Sequence, residues 1–235
     1  MLFNKVFLFK TGFLMKYKKL ICEFVGAFLL TSCVIGSGIM AENLSSGNMA
    51  IALLCNTIAT GSILYVIIKM FSSISGAHFN PIVSLVFYFN GELDKNNLFF
   101  YIFFQIFGGY VATLITHFLF NLDLFQLSNN HRGEFDMLIS ELIATFGLVL
   151  TILIIRDNDN KAVATAVALY IMAGYWFTPS TSFANPAVLI ARSFTNTFTG
   201  ISLSSFMYFF LGQLFGGVGA FSIYKILKKE SNFTF

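Results

Sequence analysis

The apolar residues of this chain run together instead of recurring with the period of an amphipathic helix or a half-buried strand. Six long apolar segments, at about 20–40, 49–71, 97–121, 136–155, 162–180 and 203–227, are separated by polar breaks at 42–47, 91–97, 123–136, 156–161 and 195–200. A helix that is apolar on nearly every face belongs in a large core or in lipid. Roughly 20 apolar residues are what a helix needs to cross a hydrocarbon layer of about 30 Å. The pattern predicts an all-α integral membrane protein with six transmembrane helices.

Two shorter apolar stretches do not fit as spans. One follows Ser-Gly-Ala-His-Phe-Asn-Pro at 75–81 and covers 82–89; the other follows Ser-Thr-Ser-Phe-Ala-Asn-Pro at 180–186 and covers 187–194. Each allows two or three helical turns. In both, Asn precedes Pro (Asn80-Pro81 and Asn185-Pro186). Pro is preorganised for the first helical position and Asn for the cap before it. Irregular backbone at membrane depth survives only where protein buries it or where it lines a wet cavity. The two stretches therefore read as re-entrant half-helices.

Composition sharpens this picture. The 235 residues are 57% hydrophobic, 17% aromatic and 11% charged, against about 25% charged in a soluble domain; the mean hydropathy is +0.78. With the N-terminus inside, 12 of the 14 basic residues fall on the cytoplasmic side, and only Arg132 and Arg192 fall outside, as the positive-inside rule expects. Both termini are then cytoplasmic. The lysines flank spans and form no basic face among aromatics, so a net charge of +3 points to no nucleic-acid partner. Residues 1–19 read as a retained cytoplasmic tail, with Met15 as an alternative start, and residues 229–235 as a second tail. Cys22, Cys33 and Cys55 lie within apolar runs and give neither a disulfide framework nor a metal-ligand spacing. No metal or cofactor is expected, and no pairing of nucleophile with base suggests an enzyme.

An internal repeat organises the region 20–228. Residues 23–30 resemble 141–148, the Asn-Pro pairs match, and Gln105-x-x-Gly108-Gly109 matches Gln213-x-x-Gly216-Gly217. The repeats, 20–121 and 136–228, each hold three spans, so the second copy inserts upside down. Inverted repeats place their shared site near the bilayer midplane. The half-helices would then meet N-terminus to N-terminus, each end carrying about half a positive charge and unsatisfied N–H groups. A positive centre repels cations and hydronium. Asn80 and Asn185 would offer amide donors to a passing oxygen. The approaches, Gly76-Ala77-His78-Phe79 and Thr181-Ser182-Phe183-Ala184, are expected to be extended, with carbonyls forming an acceptor ladder. Donors at the centre and acceptors on the approaches suit neutral hydroxylic solutes.

On these motifs, with Glu23 and Glu141, the chain over residues 20–228 resembles the major intrinsic protein family of aquaporins and aquaglyceroporins. The resemblance implies a passive channel for water and small uncharged solutes, a homotetramer with one pore per subunit, and a multi-pass place in the cell membrane, in keeping with a bacterial inner membrane. It implies that Glu23 and Glu141 brace the half-helix loops; proton coupling by these carboxylates is the alternative. Counting from the motifs puts the filter on Thr60, Ser182, Val188 and either Ala173 or Gly174. The family usually has Arg where Val188 stands, so the ring is expected to be wide, lacking a fixed cation and admitting solutes larger than water. The segment 183–194 resembles a bacterial subgroup linked to arsenic resistance, which brings undissociated arsenite into the range of glycerol-like solutes. Ile82 departs from the family's Ala and is expected to crowd the contact between half-helices. Arg192, one turn beyond Val188 on the same face, is expected to line the outer vestibule and partly replace the missing cation, with a snorkelling interfacial arginine as the alternative. His78 reads as a satisfied pore-loop histidine, and the paired glycines as close-packing sites between helices. Two rivals remain: a coupled secondary transporter, which also uses inverted repeats and broken helices, and a structural membrane protein with a closed pore.

Overall fold

The computed structural model describes the backbone of residues 2–231 and the side chains of 17–229; Met1 and residues 232–235, at the outer ends of the two expected tails, lie outside the described residues. Eight α-helices follow in order: α1 (Leu2–Leu44), α2 (Met49–Ser75), α3 (Pro81–Phe89), α4 (Lys95–Leu119), α5 (Phe135–Asn158), α6 (Val163–Phe177), α7 (Pro186–Ser193) and α8 (Leu203–Ser231). Five are long and apolar enough to cross a membrane: Tyr17–Leu44 within α1, then α2, α4, α5 and Leu203–Lys229 within α8. The sixth, α6, has 15 residues, about 22 Å at 1.5 Å per residue, and a 3₁₀ turn over Asn160–Ala162 prolongs it. From Leu2 onward the expected N-terminal tail continues the first helix without a break.

Local chemistry sets the helix ends. The Asn48 carboxamide oxygen accepts from the N–H groups of Ala50 and Ile51 at 3.1 and 3.2 Å and starts α2. Gly76, at φ 90°, ends it in the left-handed region, which costs glycine least. Asp94 caps α4 through the Asn97 N–H at 2.9 Å.

The two halves pack alike. α1 packs on α2 and α4, as α5 packs on α6 and α8; α3 lies against α4 and α8, as α7 lies against α8 and α4; α2 meets α6 and α3 meets α7 across the pseudo-two-fold. The repeated glycines permit these approaches. A Cβ at Gly108 would run into the Phe24 carbonyl of α1, and one at Gly216 into the Leu142 carbonyl of α5. Gly26 leaves room for the Phe79 ring.

Polarity is arranged for lipid. Phe99, Phe103, Phe107, Phe118, Leu169, Trp176 and Phe215 are exposed, whereas Glu23, Gln105, Thr113, Glu141 and Gln213 are fully buried. Buried polar groups demand partners, and those partners are found at the half-helices.

Candidate functional site

Asn80 and Asn185 adopt nearly the same backbone conformation (φ −149°, ψ 121° and φ −154°, ψ 110°), each followed by Pro as the first helical residue. The Asn80 oxygen accepts from the Ile82 N–H at 2.9 Å; that of Asn185 accepts from Ala187 at 3.0 Å and Val188 at 3.4 Å. The amide nitrogens cross the pseudo-two-fold. Asn80 Nδ2 donates to the Ala184 carbonyl at 2.7 Å, and Asn185 Nδ2 donates to the Phe79 carbonyl at 2.9 Å. A carboxamide has two N–H donors, so each Asn spends one on the opposite loop and keeps a second without a protein acceptor among the described residues.

The same bonds remove Phe79 and Ala184 from the expected carbonyl ladder. Hydrogen bonds among the described residues leave the carbonyls of Gly76, Ala77 and His78 on one approach, and of Thr181, Ser182 and Phe183 on the other, without an intraprotein donor. Nor are the approaches extended: Ala77, Phe79, Thr181, Ser182 and Ala184 all have φ between 46° and 60°. In an extended strand successive groups point to opposite sides, and left-handed residues break that alternation. Each non-glycine residue held there costs about 1–2 kcal/mol, so the loops need bracing.

Two buried carboxylates lie where such bracing is needed. Glu23 accepts from Ser75 Oγ at 2.6 Å, the His78 N–H at 3.1 Å, the Phe79 N–H at 2.7 Å and Gln105 Nε2 at 2.8 Å. Glu141 accepts from the Phe183 N–H at 2.9 Å, the Ala184 N–H at 2.8 Å and Gln213 Nε2 at 2.7 Å. His78 is held through Nδ1 to Ser84 Oγ at 3.1 Å, with its ring centroid 4.4 Å from that of Phe87. Among the described residues no three His, Cys, Asp or Glu side chains are grouped to share a metal ion.

One cavity of about 500 Å³ joins these elements. It begins at the end of the bundle that carries the termini, among Lys69, Glu92, Arg156 and Lys161, and passes Asn80 and Asn185. Its lining also includes Thr60, Tyr175, Ser182, Val188 and Arg192. Thr60, Ser182 and Val188, expected at the filter, line this cavity. Ala173 does not: it is exposed on the outside of α6. The inward face of α6 carries Ala164, Val167, Ile171 and Tyr175, spaced three or four residues apart, and Ala173 lies about 200° around the helix from Ile171. Gly174 is buried, and an added Cβ there would sit 2.7 Å from Ser182 Cβ.

The cavity lining near Thr60, Ser182 and Val188 also carries bulk and charge. Tyr175 brings an aromatic ring whose hydroxyl is 3.1 Å from Thr60 Oγ1. Arg192, 3% exposed, donates from Nε to the Thr199 carbonyl and lies with Cζ 3.4 Å from the Phe183 ring centroid. It is buried within the bundle and borders the cavity. Arg132 fixes the turn that receives it, donating to the Gly200 and Phe198 carbonyls at 2.7 and 2.9 Å. Burial lowers the Arg132 guanidinium to about 10, with Tyr175 and Glu141 opposing the shift, so it stays charged at neutral pH. Ile82 does not crowd the half-helix contact; it packs outward with Val149, Leu153, Ala220 and Tyr224, against Gly217. Sequence reasoning missed Tyr175 and Arg132. The three-to-four spacing on α6 was a signal for Tyr175; Arg132 sits in a loop that gave none.

Known proteins share this architecture. The chain is 44% identical to "Aquaglyceroporin AqpS" of Rhizobium meliloti (strain 1021) over 210 residues, 89% of this chain and 90% of that protein. It is 29% identical to a "Probable aquaporin TIP-type" of Medicago truncatula over 220 residues, 88% of this chain and 85% of that protein. Its fold matches the crystal structure of the aquaglyceroporin from Plasmodium falciparum with a TM-score of 0.66 at 24% identity, covering 89% of this chain and 94% of that one. The model of the major intrinsic protein family matches residues 11–176, and with these relatives it shows that the chain belongs to the major intrinsic protein family.

Proposed function

We propose that this protein is a passive membrane channel for water and small uncharged solutes, glycerol-like polyols above all. The observation that carries the reading is the pair of opposed amides in mid-cavity, Asn80 and Asn185, each with one N–H bound to the other loop and one unspent. A neutral oxygen can accept from both, while the two half-helix N-termini make the centre costly for a cation. Thr60, Tyr175, Ser182, Val188 and Arg192 form the filter in this reading. Gly76 to His78 and Thr181 to Phe183 supply the acceptors on the approaches. Glu23 and Glu141 brace the loops, because their oxygens already accept four and three donors, which leaves little capacity to shuttle protons. The relative in Rhizobium meliloti is named an aquaglyceroporin, which favours polyols, with undissociated arsenite within the same size and chemistry. We assign the channel to the region 20–228, in the cell membrane, with both termini cytoplasmic and four subunits each carrying a pore.

Stopped-flow light scattering on proteoliposomes tests this. An impermeant osmolyte should give fast shrinkage, and glycerol fast re-swelling, both independent of pH and ion gradients. Flux that requires a proton or sodium gradient would instead favour a coupled transporter, and flux equal to bare liposomes a closed structural protein.

A further inference from the structure

At the end of the bundle that carries the termini, the mouth of the cavity holds more positive charge than its own acids neutralise. Four charged side chains line it: Lys69 near the end of α2, Glu92 in the turn after α3, Arg156 near the end of α5 and Lys161 in the turn that leads into α6. The one carboxylate among them is already engaged, since both Glu92 oxygens accept from Arg156 Nη1 at 3.0 and 2.9 Å. Two acids stand nearby. Asp157 accepts from Lys228 Nζ and the Tyr224 hydroxyl at 2.9 and 2.8 Å, and Asp159 accepts from the Lys161 N–H at 2.9 Å. Lys69 Nζ donates to the Lys161 carbonyl at 3.3 Å, which sets the two residues side by side. Neither lysine is ion-paired among the described residues.

This is a set of donors. An ammonium has three N–H groups and accepts nothing, and Ser72, Ser73 and Asn160 line the same mouth with side chains that can donate as well. A cleft lined by one sign of charge concentrates the opposite ion. Two unpaired ammonium groups match an ion with two negative charges and several acceptor oxygens. Deeper along the same elements the wall turns apolar, with Leu64 on α2, Ile152 and Leu148 on α5, and Ala164 and Val167 on α6. A dianion held by the lysines would have to shed its water to go further, and carbon cannot repay that cost. It stops where a neutral solute has to pass.

Resting on the channel reading above for its effect on flux, we propose that this mouth is a binding site for a small tetrahedral oxyanion of the phosphate class, held between Lys69 and Lys161, which plugs the channel from that end.

The test uses inorganic phosphate, at slightly alkaline pH where it is mainly a dianion, against chloride at equal ionic strength and osmolality. Water permeability of proteoliposomes made from uncharged phosphatidylcholine should fall saturably with phosphate on both sides, by at least about 2-fold, since an occupied mouth passes nothing. Lys69→Gln and Lys161→Gln, each read against its own chloride baseline, should raise the half-blocking concentration by roughly 2- to 10-fold, the worth of one charged contact in a wet site. The double variant should not be blocked. In detergent, phosphate should raise the melting temperature of the wild type more than that of the double variant; the general salting-in of burial by phosphate acts on both alike. Equal wild-type flux in phosphate and chloride, or equal block in the double variant, would overturn the proposal. Slowing by anionic phosphatidylglycerol vesicles without phosphate, lost in the double variant, would assign the site to a lipid headgroup and overturn the free-anion plug. Wild-type protein with no flux above bare liposomes would overturn the channel reading, while the melting comparison still decides the site: equal shifts in wild type and double variant would overturn it.

Discussion

Adding one methyl group at Gly174 should narrow the proposed filter without substituting any residue that lines it. A Cβ built there lies 2.7 Å from Ser182 Cβ and 2.6 Å from Ser182 Oγ. Carbon atoms rest about 3.5–4.0 Å apart, so a shift of about 1 Å is required. Ser182 cannot retreat along its backbone, because the next two N–H groups, of Phe183 and Ala184, are held by Glu141 at 2.9 and 2.8 Å. Its remaining freedom is toward the lumen. Overpacking costs about 1–3 kcal/mol, partly offset by the gain of up to about 1 kcal/mol on replacing a helical Gly by Ala. Gly174→Ala should therefore fold, with at most a modest loss of melting temperature. Glycerol must push Ser182 back against that strain. A penalty of about 1–3 kcal/mol slows its passage by roughly 5- to 150-fold, while water, which needs less width, slows by less. Stopped-flow permeabilities of water and glycerol on the same vesicles give the two numbers. Wild-type glycerol permeability in Gly174→Ala would refute the placement of Ser182 against α6 at the constriction.

Val188→Arg should lower glycerol flux several-fold, since it adds bulk to the ring and a second guanidinium one turn from Arg192; unchanged flux would show that position 188 does not face the lumen. Glu141→Gln should destabilise the protein by about 1–3 kcal/mol, because the amide offers one oxygen where three donors now end and a buried donor goes unpaired. Thermal unfolding in detergent measures that loss; retained stability together with loss of a pH-dependent flux would point to proton coupling.

Much of this architecture was legible because it rests on local chemistry. Asn before Pro fixes a helix start, and two such starts in repeats of three spans leave the chain few ways to fold. The two intramembrane carboxylates stood out because burying them is expensive. The filter was less legible. Position along α6 rests on counting from the motifs, and each residue of error turns a side chain by about 100°. Counting thus points to Ala173 or Gly174, whereas Tyr175 faces the cavity. The left-handed residues of the two approaches were invisible for another reason: Ala, Phe, Thr and Ser carry no propensity for positive φ, and the conformation is imposed by Glu23, Glu141 and the crossed asparagines. Arg192 was visible as a residue one turn beyond Val188, but its burial depends on the Thr199 carbonyl, which Arg132 fixes from a distant loop.

The central claim is that the amide donors at mid-cavity hold neutral oxygen and keep the centre hostile to cations. Asn185→Asp tests it most directly. The side chain keeps its shape and its capping oxygen, loses the N–H groups, and places a negative charge at the half-helix N-terminus. Water and glycerol permeability should fall, and a proton leak should appear in vesicles loaded with a pH-sensitive dye. Wild-type solute rates with no proton leak, in a variant that melts like the wild type, would contradict the account.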